Sequence, residues 1–134
     1  MDYVYYPWTT ANGRGRLQQA VAEALQDLRY TYDAVGNVLT IQDYKAGSPQ
    51  TQAFAYDSQG RLTSAQASGG TGGTYGPEAY AYNAIGNMTS KARMSYSYDA
   101  GKPHAVRRVA GSGESSKTVT VRAKGTCFYE WRRP

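Results

Sequence analysis

Asp33, Asp57, Asn83 and Asp99 stand at equivalent places in a recurring pattern, and a regular array of oxygen-bearing side chains is the first place to look for calcium. Calcium takes roughly six to eight oxygen ligands, whereas each copy of the pattern supplies one such side chain, an amide in the third. Turn capping, in which Asp or Asn accepts backbone N–H groups near a Gly, is the expectation instead. His104 is the single histidine, so neither a zinc cluster nor a Ser-His-Asp set with a choice of bases is spelled out. Cys127 with His104 would make a thiol–base pair, but nothing in the sequence brings them together. Glu23, Asp27, Asp43, Glu78, Glu114 and Glu130 are scattered without a paired-carboxylate signature. The run Ser68-Gly69-Gly70-Thr71-Gly72-Gly73 lacks the Lys-Ser/Thr and helix of a phosphate-binding loop and reads as a linker. On these residues the chain is expected to hold no catalytic or metal site and no cofactor, and not to be an enzyme.

The recurring pattern itself is Tyr-x-Tyr-Asp-x-x-Gly-Asn. It reads Tyr30-Thr31-Tyr32-Asp33-Ala34-Val35-Gly36-Asn37, then Phe54-Ala55-Tyr56-Asp57-Ser58-Gln59-Gly60-Arg61, then Tyr80-Ala81-Tyr82-Asn83-Ala84-Ile85-Gly86-Asn87. A shortened fourth copy is Tyr96-Ser97-Tyr98-Asp99-Ala100-Gly101. Such self-similarity marks stacked units that cannot bury their apolar faces alone. Aromatics at i and i+2 share one face of a strand, and Asp-x-x-Gly fits a type I turn closed by a Gly at positive φ. Return strands follow at Val38-Leu39-Thr40-Ile41, Leu62-Thr63 and Met88-Thr89, each with an apolar residue two places after the Gly to meet the aromatic pair. Each copy therefore spells a β-hairpin. Asn12-Gly13-Arg14-Gly15-Arg16-Leu17 resembles the turn half of an earlier, degenerate copy.

These copies resemble the YD repeats of bacterial Rhs proteins, toxin-complex shell components and animal teneurins. The segment Tyr98-Asp99-Ala100-Gly101-Lys102-Pro103-His104-Ala105-Val106 is likewise similar to a stretch common in Rhs repeat proteins. The resemblance runs from about Tyr5 to Val109. It implies a β-strand spiral that in full-length relatives encloses a protein cargo, often a toxin, with export to the cell surface or beyond. The number of repeats here is too small to close such a shell.

Composition agrees with a thin sheet. Aliphatic residues are few, and 13 Tyr with 2 Trp take their place, because aromatics bury large areas while tolerating a wet edge. The net charge of +5 is too small for typical disorder. One cysteine excludes an internal disulfide. The opening Met1-Asp2-Tyr3-Val4-Tyr5-Tyr6 has no secretory signal, and no run is long and apolar enough to span a membrane. Arg107, Arg108, Lys117, Arg122, Lys124, Arg132 and Arg133 gather near Phe128, Tyr129 and Trp131, a mixture that single-stranded nucleic acid binding uses. With the body of the chain nearly balanced and no recognition motif, a solvated tail is the expectation.

The fold class expected is all-β: stacked antiparallel hairpins forming a partial, open strand spiral. Residues 1–109 form the repeat segment and 110–134 a Gly/Ser linker, one strand and a tail. Over 17–28, Leu17, Val21, Leu25 and Leu28 fit helical spacing, so a short helix there stands beside an irregular connection between hairpins. The function expected is structural, a segment that packs strand to strand with further repeats. The alternative is a carbohydrate-binding module whose exposed tyrosines stack on polysaccharide.

Overall fold

A computed structural model describes residues 1–111 apart from 24, 46, 71 and 72, together with the strand backbones of 117–121 and 127–131. The tail residues Arg122, Lys124, Arg132 and Arg133 and most of the Gly/Ser linker lie outside the described residues, as do the side chains of Cys127, Phe128, Tyr129 and Trp131. The chain divides into two units, Met1–Glu78 and Ala79–Pro134.

The first unit is an antiparallel meander of β1 (Asp2–Tyr5), β2 (Leu17–Ala22), β3 (Gln26–Tyr32), β4 (Val38–Asp43), β5 (Gln50–Tyr56) and β6 (Leu62–Gly69). Each strand pairs with its chain neighbour. In the second unit β7 (Tyr75–Tyr82, which begins before the boundary), β8 (Met88–Lys91), β9 (Met94–Asp99) and β10 (Lys102–Gly111) pair in the same manner. A further antiparallel pair joins β11 (Lys117–Val121) to β12 (Cys127–Trp131).

Every full copy of the pattern folds as the hairpin its residues spell. The first apolar residue of each return strand faces the second tyrosine: Tyr32 opposite Val38, Tyr56 opposite Leu62, Tyr82 opposite Met88. A bulge falls immediately before that tyrosine in all three. Gly36, Gly60 and Gly86 take φ of 103°, 73° and 87°, the left-handed backbone that a bulge-closing glycine supplies. The fourth copy differs. Its turn is tighter, Lys102 pairs directly with Asp99, and the irregularity moves into the return strand between Lys102 and Val106.

Among the described residues of 17–28 no helix forms. Leu17–Ala22 is β2, and Gln26–Tyr32 is β3, joined by a tight turn at Glu23, which sits at φ 44°. Strand neighbours on both sides of β2 override the helix propensity of its alanines, since propensity is a weak prior against tertiary pairing. Alanine is in fact suited to this place: Ala20, Ala65 and Ala67 are the buried hydrophobic residues among those described. No large described side chain is fully buried. In all four copies the aromatic pair is half-buried while the residue between, Thr31, Ala55, Ala81 or Ser97, is exposed. Within each unit the aromatic pairs share one face of the strands, and among the described residues there is no thick aliphatic core.

The turn glycines offer a direct test. A Cβ at Gly60 would meet nothing nearer than 3.7 Å and one at Gly86 nothing within 4 Å, so only backbone strain opposes a side chain there. Gly60→Val and Gly86→Val are each expected to lose about 1–2 kcal/mol of unfolding free energy. Gly101→Ala, at a glycine outside the left-handed region, is expected to lose much less. Urea melts giving equal losses at the three positions would refute the turn assignment.

Candidate functional site

The site is a repeated constellation at the turn end of each hairpin, built from one carboxylate or amide, one glycine and one tyrosine. In the first copy Asp33 Oδ1 accepts from the backbone N–H groups of Val35 (3.0 Å), Gly36 (2.7 Å) and Asn37 (2.8 Å). Its Oδ2 accepts from Asn37 Nδ2 at 2.9 Å. In the second, Asp57 Oδ1 accepts from Gln59 and Arg61 N–H, and Arg61 Nε closes an ion pair on Oδ2 at 2.7 Å. Asn83 Oδ1 holds Ile85 and Asn87 N–H, and Asp99 Oδ1 holds Gly101 N–H. A type I turn bond, from the Gly N–H to the carbonyl of Asp33, Asp57 or Asn83, completes each full turn. Oδ1 of each capping residue is thus directed into its own turn. Among the described residues no three His, Cys, Asp or Glu side chains converge as a metal site would require.

The second tyrosine of a copy reaches back to the hairpin before it. Tyr32 Oη donates to Leu17 O at 2.8 Å, Tyr56 Oη to Val38 O at 2.9 Å, and Tyr98 Oη to Met88 O at 2.6 Å. The acceptor is always the residue two places after the preceding turn glycine. The register explains the choice. Pairing between β2 and β3 begins at Gln19, between β4 and β5 at Thr40, and between β8 and β9 at Ser90. Leu17, Val38 and Met88 each lie two residues beyond the last ladder pair, where neighbouring hairpins diverge toward their turns. A carbonyl there needs a partner from outside the ladder, and the phenol supplies it. Tyr6 Oη makes a similar bond to Tyr30 O at 2.8 Å, and its ring meets Tyr32 edge-on at 6.3 Å.

The residue after the glycine reaches forward. Arg16 Nη2 donates to Val35 O in the next turn at 3.4 Å, with its guanidinium 5.7 Å from the Tyr32 ring centre. Asn87 Nδ2 donates to Pro103 O at 2.6 Å, while His104 Nδ1 donates to Asn87 Oδ1 at 2.7 Å. His104 therefore sits at the irregular start of β10, exposed and bonded to a turn. Arg29 lies over Tyr44 at 4.4 Å and pairs with Asp27, which also accepts from Gln19 Nε2.

The sequence motif identified the capping residues and glycines but missed two features. The carbonyl acceptors carry no side-chain signature and are invisible to residue-type reading. The aromatic half of the degenerate first copy was also hidden. Tyr5 pairs with Leu17, with a bulge just before it, as Tyr32 pairs with Val38, so Tyr3 and Tyr5 are that copy's aromatic pair. The Tyr-x-Tyr spacing at 3 and 5 was the available signal, masked by Tyr6 standing where Asp is expected and by the long loop before Gly15.

No family model matches the chain. The chain is 32% identical over 89 residues to the tRNA nuclease WapA of Bacillus subtilis (strain 168), a match that covers 64% of this chain. It matches the tRNA3(Ser)-specific nuclease WapA of Bacillus spizizenii to the same extent. The chain spans about 3% of the length of either relative. These findings correct three expectations. The resemblance to YD repeats of Rhs, toxin-complex and teneurin type is not upheld, because no family model matches. The expectation that the chain is not an enzyme is contradicted, because both relatives are named as nucleases. Their names likewise point away from a shell protein and from a cell-surface carbohydrate binder.

Titration should expose both halves of the constellation. Partial burial, with the nearby Tyr30 and Tyr6, raises the Tyr32 phenol above its ordinary value, and partial burial with the Asp33 charge raises Tyr56. A phenol raised on folding stabilises the fold below its unfolded value, roughly pH 10, and that contribution is lost as pH rises through the folded value. A tyrosinate also has no proton to donate to Leu17 O or Val38 O. Carboxylates behave oppositely. Partial burial raises Asp33, but the bonds from Asn37, Gly36 and Val35 outweigh it; Arg61 holds Asp57 low against burial. Their contribution is present above roughly pH 4 and lost as pH falls through the lowered folded values. The expected outcome is cooperative loss of tertiary circular dichroism at alkaline pH, coincident with late tyrosinate absorbance. Phenols that all ionise at the ordinary value without loss of structure would contradict it, and Asp57→Asn should lessen the acid sensitivity.

Proposed function

We propose that this chain is a structural segment, a run of hairpins packed strand to strand, within a longer polypeptide of the kind represented by its tRNA nuclease relatives. The observation that carries this reading is the repeated phenol-to-carbonyl bond. In three copies the same tyrosine holds the preceding hairpin at the same main-chain position. A residue that repeats so as to join one unit to the last acts in assembly, and stability in such arrays is approximately a sum over neighbouring units. The half-buried setting of the aromatic pairs supports the same reading. A stacking site for a sugar would present open rings together with unengaged polar groups.

Substitution of Tyr56 tests the proposal. Tyr56→Phe keeps the ring and removes the bond to Val38 O, and is expected to cost about 1 kcal/mol. Tyr56→Ala removes the ring as well and is expected to cost about 2 kcal/mol, the low end for large truncations because the ring is only half-buried. Chemical denaturation measures both. A Tyr56→Ala protein that folds with undiminished stability, yet loses binding to a polysaccharide that the native chain retains, would replace the scaffold with a binding module.

A further inference from the structure

The exposed edge of β1 differs from every other aromatic strand of the first unit in what it lacks. Tyr5 occupies the register position of Tyr32 and Tyr56: opposite the residue two places after its turn glycine, just past a bulge. Tyr32 and Tyr56 are half-buried and spend their hydroxyls on a preceding hairpin. Tyr5 is 58% exposed and Tyr3 54% exposed. All four residues of β1 are exposed, and the Tyr5 hydroxyl has no hydrogen-bond partner among the described residues. β1 pairs with β2 alone, which leaves one row of its main-chain donors and acceptors open.

We infer that β1 is the docking edge for the return strand of one further hairpin of the same tyrosine–turn type, with Tyr5 Oη donating to the carbonyl two residues after that hairpin's turn glycine. The occupant follows from the three junctions already built. Each aromatic strand that bears a stapling tyrosine, β3, β5 and β9, takes a return strand as its earlier neighbour, namely β2, β4 and β8. At none of these three junctions does the aromatic strand take another aromatic strand as its earlier neighbour. The relatives are some thirty-fold longer than the matched stretch, since the chain spans about 3% of them, so polypeptide able to supply such a hairpin exists in proteins of this kind. An open edge of this sort is otherwise a template for unwanted pairing. The inference rests on the scaffold reading and specifies the partner of its first strand.

The test extends the full chain by a second copy of residues 26–51 placed before Met1, so that Met1 stands where Gln52 stands after β4. The copied β4 and its connection then precede β1 as β4 and its connection precede β5. By register Asp2 falls opposite the copied Thr40, and Tyr5 Oη opposite the copied Val38 O. The expected result is at least about tenfold slower hydrogen exchange at the β1 amides that point away from β2, and an unfolding midpoint raised by several degrees. Tyr5→Phe should cost clearly more in the extended chain than in the native one. Unprotected β1 amides in the extended chain, or equal Tyr5→Phe effects in both, would overturn the inference. So would β1 protection in the native chain that grows with its concentration, because the edge would then belong to a second copy. Tyr56→Phe, run in parallel, separates the two levels of argument. If it destabilises while Tyr5→Phe does not, the scaffold stands and the docking edge falls. If both are silent, the scaffold itself has failed.

Discussion

With no large side chain fully buried among the described residues, stability must be found along the sheet, and here that depends on a phenol meeting a main-chain carbonyl. Ala20, Ala65 and Ala67 are the buried hydrophobic side chains among the described residues, and the repeat aromatics are part-buried. Strand ladders join neighbouring hairpins over their middle stretches, then lapse two residues before the turns. Tyr32, Tyr56 and Tyr98 bridge that lapse. Their rings cover the face and their hydroxyls satisfy a carbonyl that the ladder leaves without a partner. Phenylalanine would supply only the first, and serine only the second without the reach.

The turn chemistry serves the same end. The phenol of one hairpin meets a carbonyl placed by the turn of the hairpin before it, two residues after that turn's glycine. Asp33, Asp57 and Asn83 fix that geometry by gathering the loop N–H groups, and glycine closes it at positive φ. Their partners differ: Asn37 donates to Asp33, Arg61 makes an ion pair with Asp57, and the third turn manages with an uncharged Asn83. The invariant requirement is an acceptor oxygen at that place, which is why an amide replaces a carboxylate without altering the turn.

The nuclease names of the relatives and the scaffold reading are compatible on grounds of size. The matched stretch amounts to about 3% of either relative, so their nuclease names describe proteins far longer than this chain. Along the described hairpins, Tyr32, Tyr56 and Tyr98 each bond back to the hairpin before.

The sequence by itself determined the hairpins. Aromatics at i and i+2, an acceptor side chain, and a glycine three residues later are local signals, and local hydrogen bonds read them out at Asp33, Asp57 and Asn83 without help from distant residues. Tertiary structure decided the rest. The alanine-rich stretch from Leu17 had the composition of a helix, yet became β2 because two strands offered it ladders, a choice no local window contains. Tyr5 was not legible as a repeat tyrosine because only its pairing with Leu17 places it in register. The acceptors Leu17, Val38 and Met88 were illegible for a deeper reason: every residue carries a carbonyl, and which one is left unpaired depends on where two neighbouring hairpins diverge.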